Sequence, residues 1–359
     1  MNLLKETTCK ITAADNAAIE KAWKYIDNLT KPLGSLGKLE EIAAKFAGIT
    51  GQVFNKVNKK NIIIMCADNG ICEEGVSAAD QIITQVMTNC IPEMKTGVGV
   101  LATFANTELT VVDIGVKGET INPKVINRKI RNGTANISKG QAMSKEEAVK
   151  AIETGIEVTD KLCSEGYDMF GTGEMGIGNT STSACVIAAL LGIDIEGLVG
   201  LGAGLTKEQF ENKKRVLKAA IDINKPNEKD VVDVLSKVGG LDIAGMCGCY
   251  LSAAKNKKPI VIDGVISCAA ALCAYIIKPE VKEYMFTSHK SEEVAVNYVF
   301  NHIGLRPILD LNMRLGEGSG CPLAFNIIEA ALYMVNNMAT FGDVGINEDS
   351  KEKFIDIRQ

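Results

Sequence analysis

The chain has 359 residues, of which 46% are hydrophobic and 23% are charged, and its formal net charge is −5. This composition is typical of a soluble globular enzyme with a large core, and the lack of a basic patch argues against nucleic acid as a partner. The stretch MNLLKETTCK has no apolar centre long enough for a signal peptide, and no run of about 18 apolar residues indicates a membrane span. We therefore expect a cytoplasmic protein with no membrane partner.

Short apolar runs rich in β-branched residues alternate along the chain with amphipathic or small-residue segments. We predict strands at 61–67, 108–115, 167–171, 196–201, 258–264 and 283–288. We predict helices near 79–93, 144–163, 179–191, 206–222, 240–254 and 265–277. This alternation predicts an α/β fold with a parallel sheet covered by helices on both faces. Residues 14–50 and about 322–340 look helical, and we expect them to pack together beside the sheet.

Cysteine and histidine usage limits the chemistry that we expect. The chain has 11 cysteines without a CxxC pair, and its two histidines are His289 and His302. Most cysteines lie in apolar segments and are expected to be small core residues. We expect no zinc or other metal site, no histidine-based triad and no cofactor. Catalysis would then depend on carboxylates, lysines, hydroxyls and backbone groups.

A glycine-rich turn follows the third predicted strand. In GTGEMGIGNTS, residues 171–181, four glycines fall within eight residues, and hydroxyl side chains follow at the start of a predicted helix. Glycines let the backbone approach an anion, and a helix N-terminus offers free N–H groups, so the turn predicts a phosphate site. A tight turn without a ligand is the alternative.

Two familiar phosphate loops fit this turn poorly. GTGEMG matches the GxGxxG pattern of dinucleotide-binding folds, but Asp194 and Glu196 lie at the start of the next predicted strand, where the ribose would not reach them. The GxxxxGK[ST] pattern of a P-loop is absent from the chain. The pattern therefore favours a monophosphate site.

Two further stretches suggest binding or catalysis. The turn GLGAGL, residues 200–205, precedes a helix that carries Lys213, Lys214 and Arg215, one of which could face an anion. In RLGEGSG, residues 314–320, Glu317 is flanked by glycines that would bring its carboxylate close to a ligand. Glu317 and Glu174, each in a glycine-rich loop, suggest acid–base work on a small molecule. The alternative is that each is a helix N-terminal acid favoured by the helix dipole.

Seven stretches together resemble one family. They are LTKPLGSLGKLEEIA (29–43), ADNGICEEGVSAADQIITQ (67–85), GTGEMGIGNTS (171–181), GLGAGL (200–205), SHKSEE (288–293), RLGEGSGCPLAF (314–325) and NNMATFGDVGI (336–346). In this order they resemble the nicotinate-nucleotide:dimethylbenzimidazole phosphoribosyltransferases of cobalamin lower-ligand synthesis. The resemblance covers nearly the whole chain.

The resemblance implies a fold, a reaction and an assembly. The reaction is that of a pentosyltransferase, which moves the 5-phosphoribosyl group of nicotinate mononucleotide to an aromatic base and releases nicotinate. The fold would be a Rossmann-like parallel six-stranded sheet flanked by helices, with a small helical domain from both termini. We place the N-terminal helical part at 1–57, the large domain at 58–320 and the C-terminal helical part at 321–359. The family also implies a homodimer in which the partner subunit contributes to each active site.

The resemblance also implies roles for individual residues. Glu317 and Glu174 would be catalytic, with Glu317 the general base. The remaining predicted site residues are Gly176, Ile177, Gly178, Asn179, Thr180, Gly202, Gly204, Lys213 and Ser291 at the phosphate and ribose, and Ser77, Gln85 and Leu315 at the base.

One residue departs from the family pattern. Asn69 stands where the family commonly has histidine, and we expect this change to alter the base pocket. The sequence leaves the acceptor open among benzimidazoles, purines and phenolics. Two alternative functions also stay open, a catalytically silent nucleotide-binding protein and a dinucleotide-binding Rossmann oxidoreductase.

Overall fold

The computed structural model describes residues 2–200, 204–345 and 356–358 of the chain. Its centre is one six-stranded sheet in the order β3-β2-β1-β4-β5-β6, and every paired neighbour is parallel. The strands are β1 Lys60–Ala67, β2 Glu108–Gly115, β3 Ile126–Asn127, β4 Met169–Met175, β5 Ile260–Ile262 and β6 Met285–Thr287.

Helices cover both faces of this sheet. The described α-helices are α1 Leu3–Lys10, α2 Asn16–Ile26, α3 Lys38–Thr50, α4 Ile82–Cys90, α5 Gly97–Phe104, α6 Lys145–Ser164, α7 Asn179–Leu191, α8 Lys207–Asn224, α9 Val231–Val238, α10 Leu241–Lys255, α11 Val265–Ile277, α12 Ala295–Ile303 and α13 Gly320–Asn337. All eight residues of β1 are buried, and the unbroken apolar run IIIMCA at 62–67 predicts this for a strand covered on both sides. Within the described ranges, no helix combines the length and apolarity that a membrane span requires.

Residues from both ends of the chain pack against each other beside the sheet. Leu29 and Thr340 form an antiparallel bridge, and the backbone N–H of Thr30 donates to the carbonyl of Ala339 at 2.9 Å. Helix α3 packs on α13, which also contacts β4 and β5. The expected contact between the terminal helices is therefore present, while the domain boundaries at 57/58 and 320/321 stay a prediction.

The structure confirms the α/β class and the parallel six-stranded sheet, but one predicted strand is wrong. Residues Ile195–Gly197 form a 3₁₀ turn, because the Asp194 side chain accepts a hydrogen bond from the backbone N–H of Glu196 at 3.1 Å. The sixth strand is instead β3, whose two residues are too short to give a periodic pattern. The predicted helices were found with small shifts at their ends, whereas α1, α5, α9 and α12 lie outside the predicted helical segments.

Candidate active site

A cleft of about 300 Å³ opens at the carboxyl ends of the strands. It lies where the strand order reverses beside β1 and β4, which is the position expected for a ligand in a doubly wound sheet. Ten predicted site residues line it: Ser77, Glu174, Gly176, Ile177, Gly178, Asn179, Thr180, Ser291, Leu315 and Glu317.

The phosphate end of the cleft is built by the turn after β4. This turn runs into the N-terminus of α7, where Gly178 has a φ of 93° and Asn179 is the first helical residue. Lys213 is 1% exposed, and its Nζ donates to Thr180 Oγ1 at 3.1 Å and to the carbonyl of Gly200 at 3.4 Å. Burial lowers the pKa of Lys213. Because both hydrogen bonds go to neutral oxygens, this ammonium and the helix N-terminus together suit an anion.

The opposite wall carries Glu317 in a strained turn. Gly316, Glu317 and Gly318 have φ values of 88°, 63° and 87°, so a glutamate occupies the left-handed region that glycine normally fills. Such a conformation costs on the order of 1 kcal/mol and is found most often at functional sites. The Glu317 carboxylate accepts a hydrogen bond at 3.1 Å from the backbone N–H of Val98, in the first turn of α5. This helix terminus favours a negative charge at that position beside the cleft.

A glycine in β4 allows the Glu317 loop to lie directly on the sheet. A Cβ atom at Gly173 would be 2.4 Å from the backbone oxygen of Glu317. Only a residue without a side chain leaves room for this contact.

Glu174 connects the two walls. Its Oε1 accepts from the backbone N–H of Glu317 at 3.2 Å, and its Oε2 accepts from the Asn179 side-chain amide. Burial raises the pKa of Glu174 to about 7, the nearby Asp263 and Glu317 carboxylates add to the effect, and the two hydrogen bonds oppose it. Glu174 therefore holds its proton to a higher pH than an exposed glutamate does.

Asp263, which follows β5, holds the far end of the Glu317 loop. Its two carboxylate oxygens accept from the backbone N–H groups of Gly318 at 3.1 Å and Gly320 at 2.7 Å. Burial raises the pKa of Asp263 to about 7. His289 Nδ1 lies 3.9 Å from Asp263 Oδ1, and His289 lines the cleft. The sequence analysis missed both residues, although the acidic turn after a buried strand was a signal for Asp263.

Asp242, the second residue of α10, is another buried carboxylate that sequence reasoning missed. It is 0% exposed, its Oδ2 accepts from Asn179 Nδ2 at 3.1 Å, and burial raises its pKa to about 7. Nothing in the stretch GGLDIAGM distinguishes this aspartate from an ordinary helix N-terminal acid.

Three predicted site residues that the structure describes, Gln85, Gly204 and Lys213, are not among the residues that line the cleft. Gln85 Nε2 donates to the carbonyl of Glu119 at 2.7 Å, on a different side of α4 from the cleft-lining Ile83 and Met87. Gly204 is exposed and outside the lining, and Gly202 lies outside the described residues. The roles of all the predicted site residues, inside and outside the cleft lining, stay predictions.

Asn69 lies behind the phosphate turn. It is fully buried, its Oδ1 accepts from Thr182 Oγ1 at 3.3 Å, and a Cβ atom at Gly176 would be 3.1 Å from its Nδ2. Asn69 is not among the residues that line the cleft, so any effect on the base pocket would act through the turn.

The fold and the cleft together define an α/β enzyme with an anion-binding turn and a candidate carboxylate base. Among the residues described by the structure, no cluster of three histidine, cysteine or acidic side chains has the arrangement of a metal site.

Comparison with known proteins identifies the family. The profile of the phosphoribosyltransferase family matches residues 11–346. Two relatives, both named nicotinate-nucleotide–dimethylbenzimidazole phosphoribosyltransferase, are from Clostridium tetani and Ruminiclostridium cellulolyticum. The first is 55% identical over 359 residues, covering 100% of this chain and 99% of the relative. The second is 53% identical over 330 residues, covering 92% of this chain and 94% of the relative.

A solved structure gives the same result. The crystal structure of nicotinate-nucleotide-dimethylbenzimidazole phosphoribosyltransferase from Thermus thermophilus has a TM-score of 0.88 and 35% identity. The match covers 93% of this chain and 99% of the Thermus thermophilus chain. The chain belongs to the phosphoribosyltransferase family.

Proposed function

We propose that the chain transfers the 5-phosphoribosyl group of nicotinate mononucleotide to 5,6-dimethylbenzimidazole or a related aromatic base. The products are the α-ribotide and nicotinate. The observation that carries this proposal is the joint presence, in one cleft, of the Glu317 carboxylate in its left-handed turn and the N-terminus of α7. The first suits a general base and the second suits a phosphate.

The phosphate of the donor would bind at the α7 end of the cleft. There the backbone of the turn 176–178 and the hydroxyl of Thr180 face the ligand, with the Lys213 ammonium behind Thr180 and the Ser291 side chain opposite. These charged and backbone donors can form strong hydrogen bonds to the oxygens of a phosphate.

The acceptor would lie between apolar side chains at the other end. Ile83 and Met87 of α4, Met175 at the end of β4, and Leu315 are the apolar side chains of the cleft lining that could contact it. Their apolar surfaces suit the faces of a flat aromatic ring, and Leu315 is 60% exposed in the single chain and so available for contact.

In the reaction, one ring nitrogen of the acceptor attacks C1′ of the ribose while Glu317 takes the proton from the other nitrogen. The bond between C1′ and the pyridinium nitrogen breaks, and its electron pair leaves with nicotinate, which becomes neutral at the ring. Attack from the face opposite the leaving group inverts the β configuration to α. Glu174 and Asp263 hold the loop that positions Glu317 for the proton transfer.

A product assay tests the proposal. The purified chain is mixed with nicotinate mononucleotide and, separately, dimethylbenzimidazole, benzimidazole, adenine, phenol or p-cresol, and nicotinate release is followed by chromatography. We expect release only when an acceptor is present, with the mass of the matching ribotide. Binding of the nucleotide without release of nicotinate for any acceptor would favour a silent binding protein. In a separate experiment, a change in the fluorescence of NADH when it is mixed with the protein would favour an oxidoreductase.

We further propose that the enzyme is a homodimer. Helix α4 leads through a 3₁₀ turn to α5, which packs against α13, and these helices expose large apolar side chains. The exposed residues are Ile82, Val86, Val100, Phe104 and Tyr333. A second copy of the chain would cover this apolar surface and the nearby Leu315. Sedimentation equilibrium should give twice the mass of the chain, and a single-chain mass would contradict the proposal.

A further inference from the structure

Asp242 is a buried carboxylate that has no role in the reaction steps proposed above. It is 0% exposed and does not line the cleft, and its two hydrogen bonds come from neutral donors. The backbone N–H of Ile243 donates to Oδ1 at 3.0 Å, and Asn179 Nδ2 donates to Oδ2 at 3.1 Å. A buried charge without a counter-ion is unfavourable, so its retention needs a reason beyond packing.

The side-chain amide of Asn179 joins Asp242 to Glu174. The same Nδ2 atom donates to Asp242 Oδ2 and to Glu174 Oε2. An amide nitrogen has two hydrogens, so both are used, one for each carboxylate. The orientation of the Asn179 side chain is thus fixed from two elements, β4 and α10.

The chain of hydrogen bonds continues to the candidate base. Glu174 Oε1 accepts from the backbone N–H of Glu317 at 3.2 Å, so Asp242, Asn179, Glu174 and the Glu317 loop form one connected series. Asp242 also lies under the phosphate turn, because a Cβ atom at Gly176 would be 3.0 Å from its Oδ2. The series therefore passes between the phosphate end and the base end of the cleft.

We propose that Asp242 is a positioning residue for the transfer reaction, which holds Asn179 and, through it, Glu174 and the Glu317 loop in their reactive arrangement. This inference rests on the proposed function of the cleft. Asp242 touches neither substrate and acts only through Asn179.

The test uses Asp242→Asn, which keeps the shape of the side chain but presents an amide to two N–H donors that need acceptors. Because loss of position by about 1 Å can cost about a hundredfold in rate, we expect kcat to fall about tenfold to hundredfold. We expect KM for nicotinate mononucleotide to stay within about twofold, since the phosphate contacts remain. Above pH 7 the melting temperature should stay close to that of the wild type, because removal of a buried charge is stabilising and loss of an acceptor for one N–H donor is destabilising.

Two further variants separate positioning from general stability. Asp233→Asn removes a first-turn carboxylate from α9, outside the cleft, and should leave kcat unchanged. When Asp242→Asn is added to Glu174→Gln, kcat should fall by less than about threefold below that of Glu174→Gln alone. The effects of two residues that act in one series are not additive.

Three results would overturn the inference. The first is an unchanged kcat in a folded Asp242→Asn protein that is assayed beside an active wild type. The second is a fall in kcat that appears only together with a lower melting temperature, or that is fully additive with Glu174→Gln, since either would mean a structural role only. The third is a wild-type chain that binds the nucleotide but releases no nicotinate, which contradicts the proposed function and removes this inference with it.

Discussion

The backbone strain at Glu317 is the residue-scale feature that most clearly indicates function. A glutamate with a φ of 63° between two left-handed glycines is destabilising, and the surrounding contacts hold it there. Val98 donates to its side chain, Glu174 accepts from its backbone and Asp263 holds the loop beyond it. A glycine would fit the turn with less strain, and a glutamate at this position is what we expect if the proposed reaction needs its carboxylate.

Replacing Glu317 with Gln should lower kcat about 10²- to 10⁴-fold, because the variant keeps the shape of the side chain but cannot accept a proton. The KM and the calorimetric Kd for nicotinate mononucleotide should change little, since the phosphate end of the cleft is untouched. Steady-state assays and titration calorimetry measure the two quantities.

Glu292→Gln is the matched control for this change, because Glu292 is exposed and outside the cleft lining. Its kcat should equal that of the wild type. Undiminished turnover in Glu317→Gln would remove Glu317 from the role of base.

Single residues were predictable where a local pattern marks them. The glycines around Glu317 and Glu174 are visible in the sequence, and both carboxylates lie in the cleft. Asp242 was not predictable, because its proposed role depends on Asn179, which is 63 positions away in the chain and is brought close only by the fold.

At the scale of elements, the faces of helices decide which side chains reach the cleft. Ile83 and Met87 of α4 are four residues apart, share one face and line the cleft. Gln85 and Asn89 share another face and bond to the segment 119–122. The helical period could have separated these two faces from the sequence. It could not have shown which of the two faces meets the cleft.

On helix α8, two adjacent lysines also lie on different faces. Lys213 is buried beside Thr180, whereas Lys214 pairs with Glu211 at 3.1 Å on the outer side. Lys213→Gln should raise KM for nicotinate mononucleotide about tenfold to hundredfold, because a hydrogen bond from a charged group contributes about 1.5–3 kcal/mol. The measurement is the dependence of the rate on donor concentration.

Lys214→Gln is the control on the same helix and should leave KM unchanged. Equal KM values for the two variants would show that Lys213 does not serve the phosphate.

The contact between β4 and the Glu317 loop gives an element-scale prediction of its own. Gly173→Ala would place a Cβ atom 2.4 Å from the Glu317 backbone oxygen, so the loop must move. We expect a lower melting temperature and at least about a tenfold loss of kcat, since misplacement of a catalytic group by about 1 Å is costly. Gly140→Ala meets no atom within 4 Å and should match the wild type in both measurements. Wild-type kcat in Gly173→Ala would contradict the tight packing.

For the whole molecule, the sequence predicted the class better than the exact sheet. Strands that are long and apolar, such as β1, were recognised from their local runs of apolar, β-branched residues. The strand predicted at 196–201 is wrong over its described residues, 196–200, because the Asp194 side chain closes a 3₁₀ turn at their start. The two residues of β3 have no periodicity, and only their pairing with β2 makes them a strand.

The buried acids should make the stability of the whole molecule depend on pH. Burial raises the pKa values of Glu174, Asp242 and Asp263 to about 7, well above the ordinary values of 4.5 for Glu and 3.8 for Asp. Between about pH 4 and pH 7 the native state holds protons that the unfolded state has lost. The contribution to stability is therefore fully present below about pH 4 and is lost as the pH rises through about 7.

Asp242→Asn isolates one of these groups. The free energy of unfolding of the variant, relative to that of the wild type, should increase between about pH 4.5 and pH 7 by about 1.4 kcal/mol per pH unit at most. Urea unfolding at several pH values measures this difference, with Asp233→Asn as the comparison. A difference that is constant or falls over this range would show that Asp242 is ionised throughout.

The measurement that tests the central claim most directly is the stoichiometry and configuration of the product. Nicotinate mononucleotide and dimethylbenzimidazole are incubated with the chain, and the mixture is followed by chromatography and by proton NMR of the ribose C1′ position. The account predicts one nicotinate released for each ribotide formed, with the new bond in the α configuration. Release of ribose 5-phosphate in place of a ribotide, a β-configured product, or no release with any aromatic acceptor would contradict it.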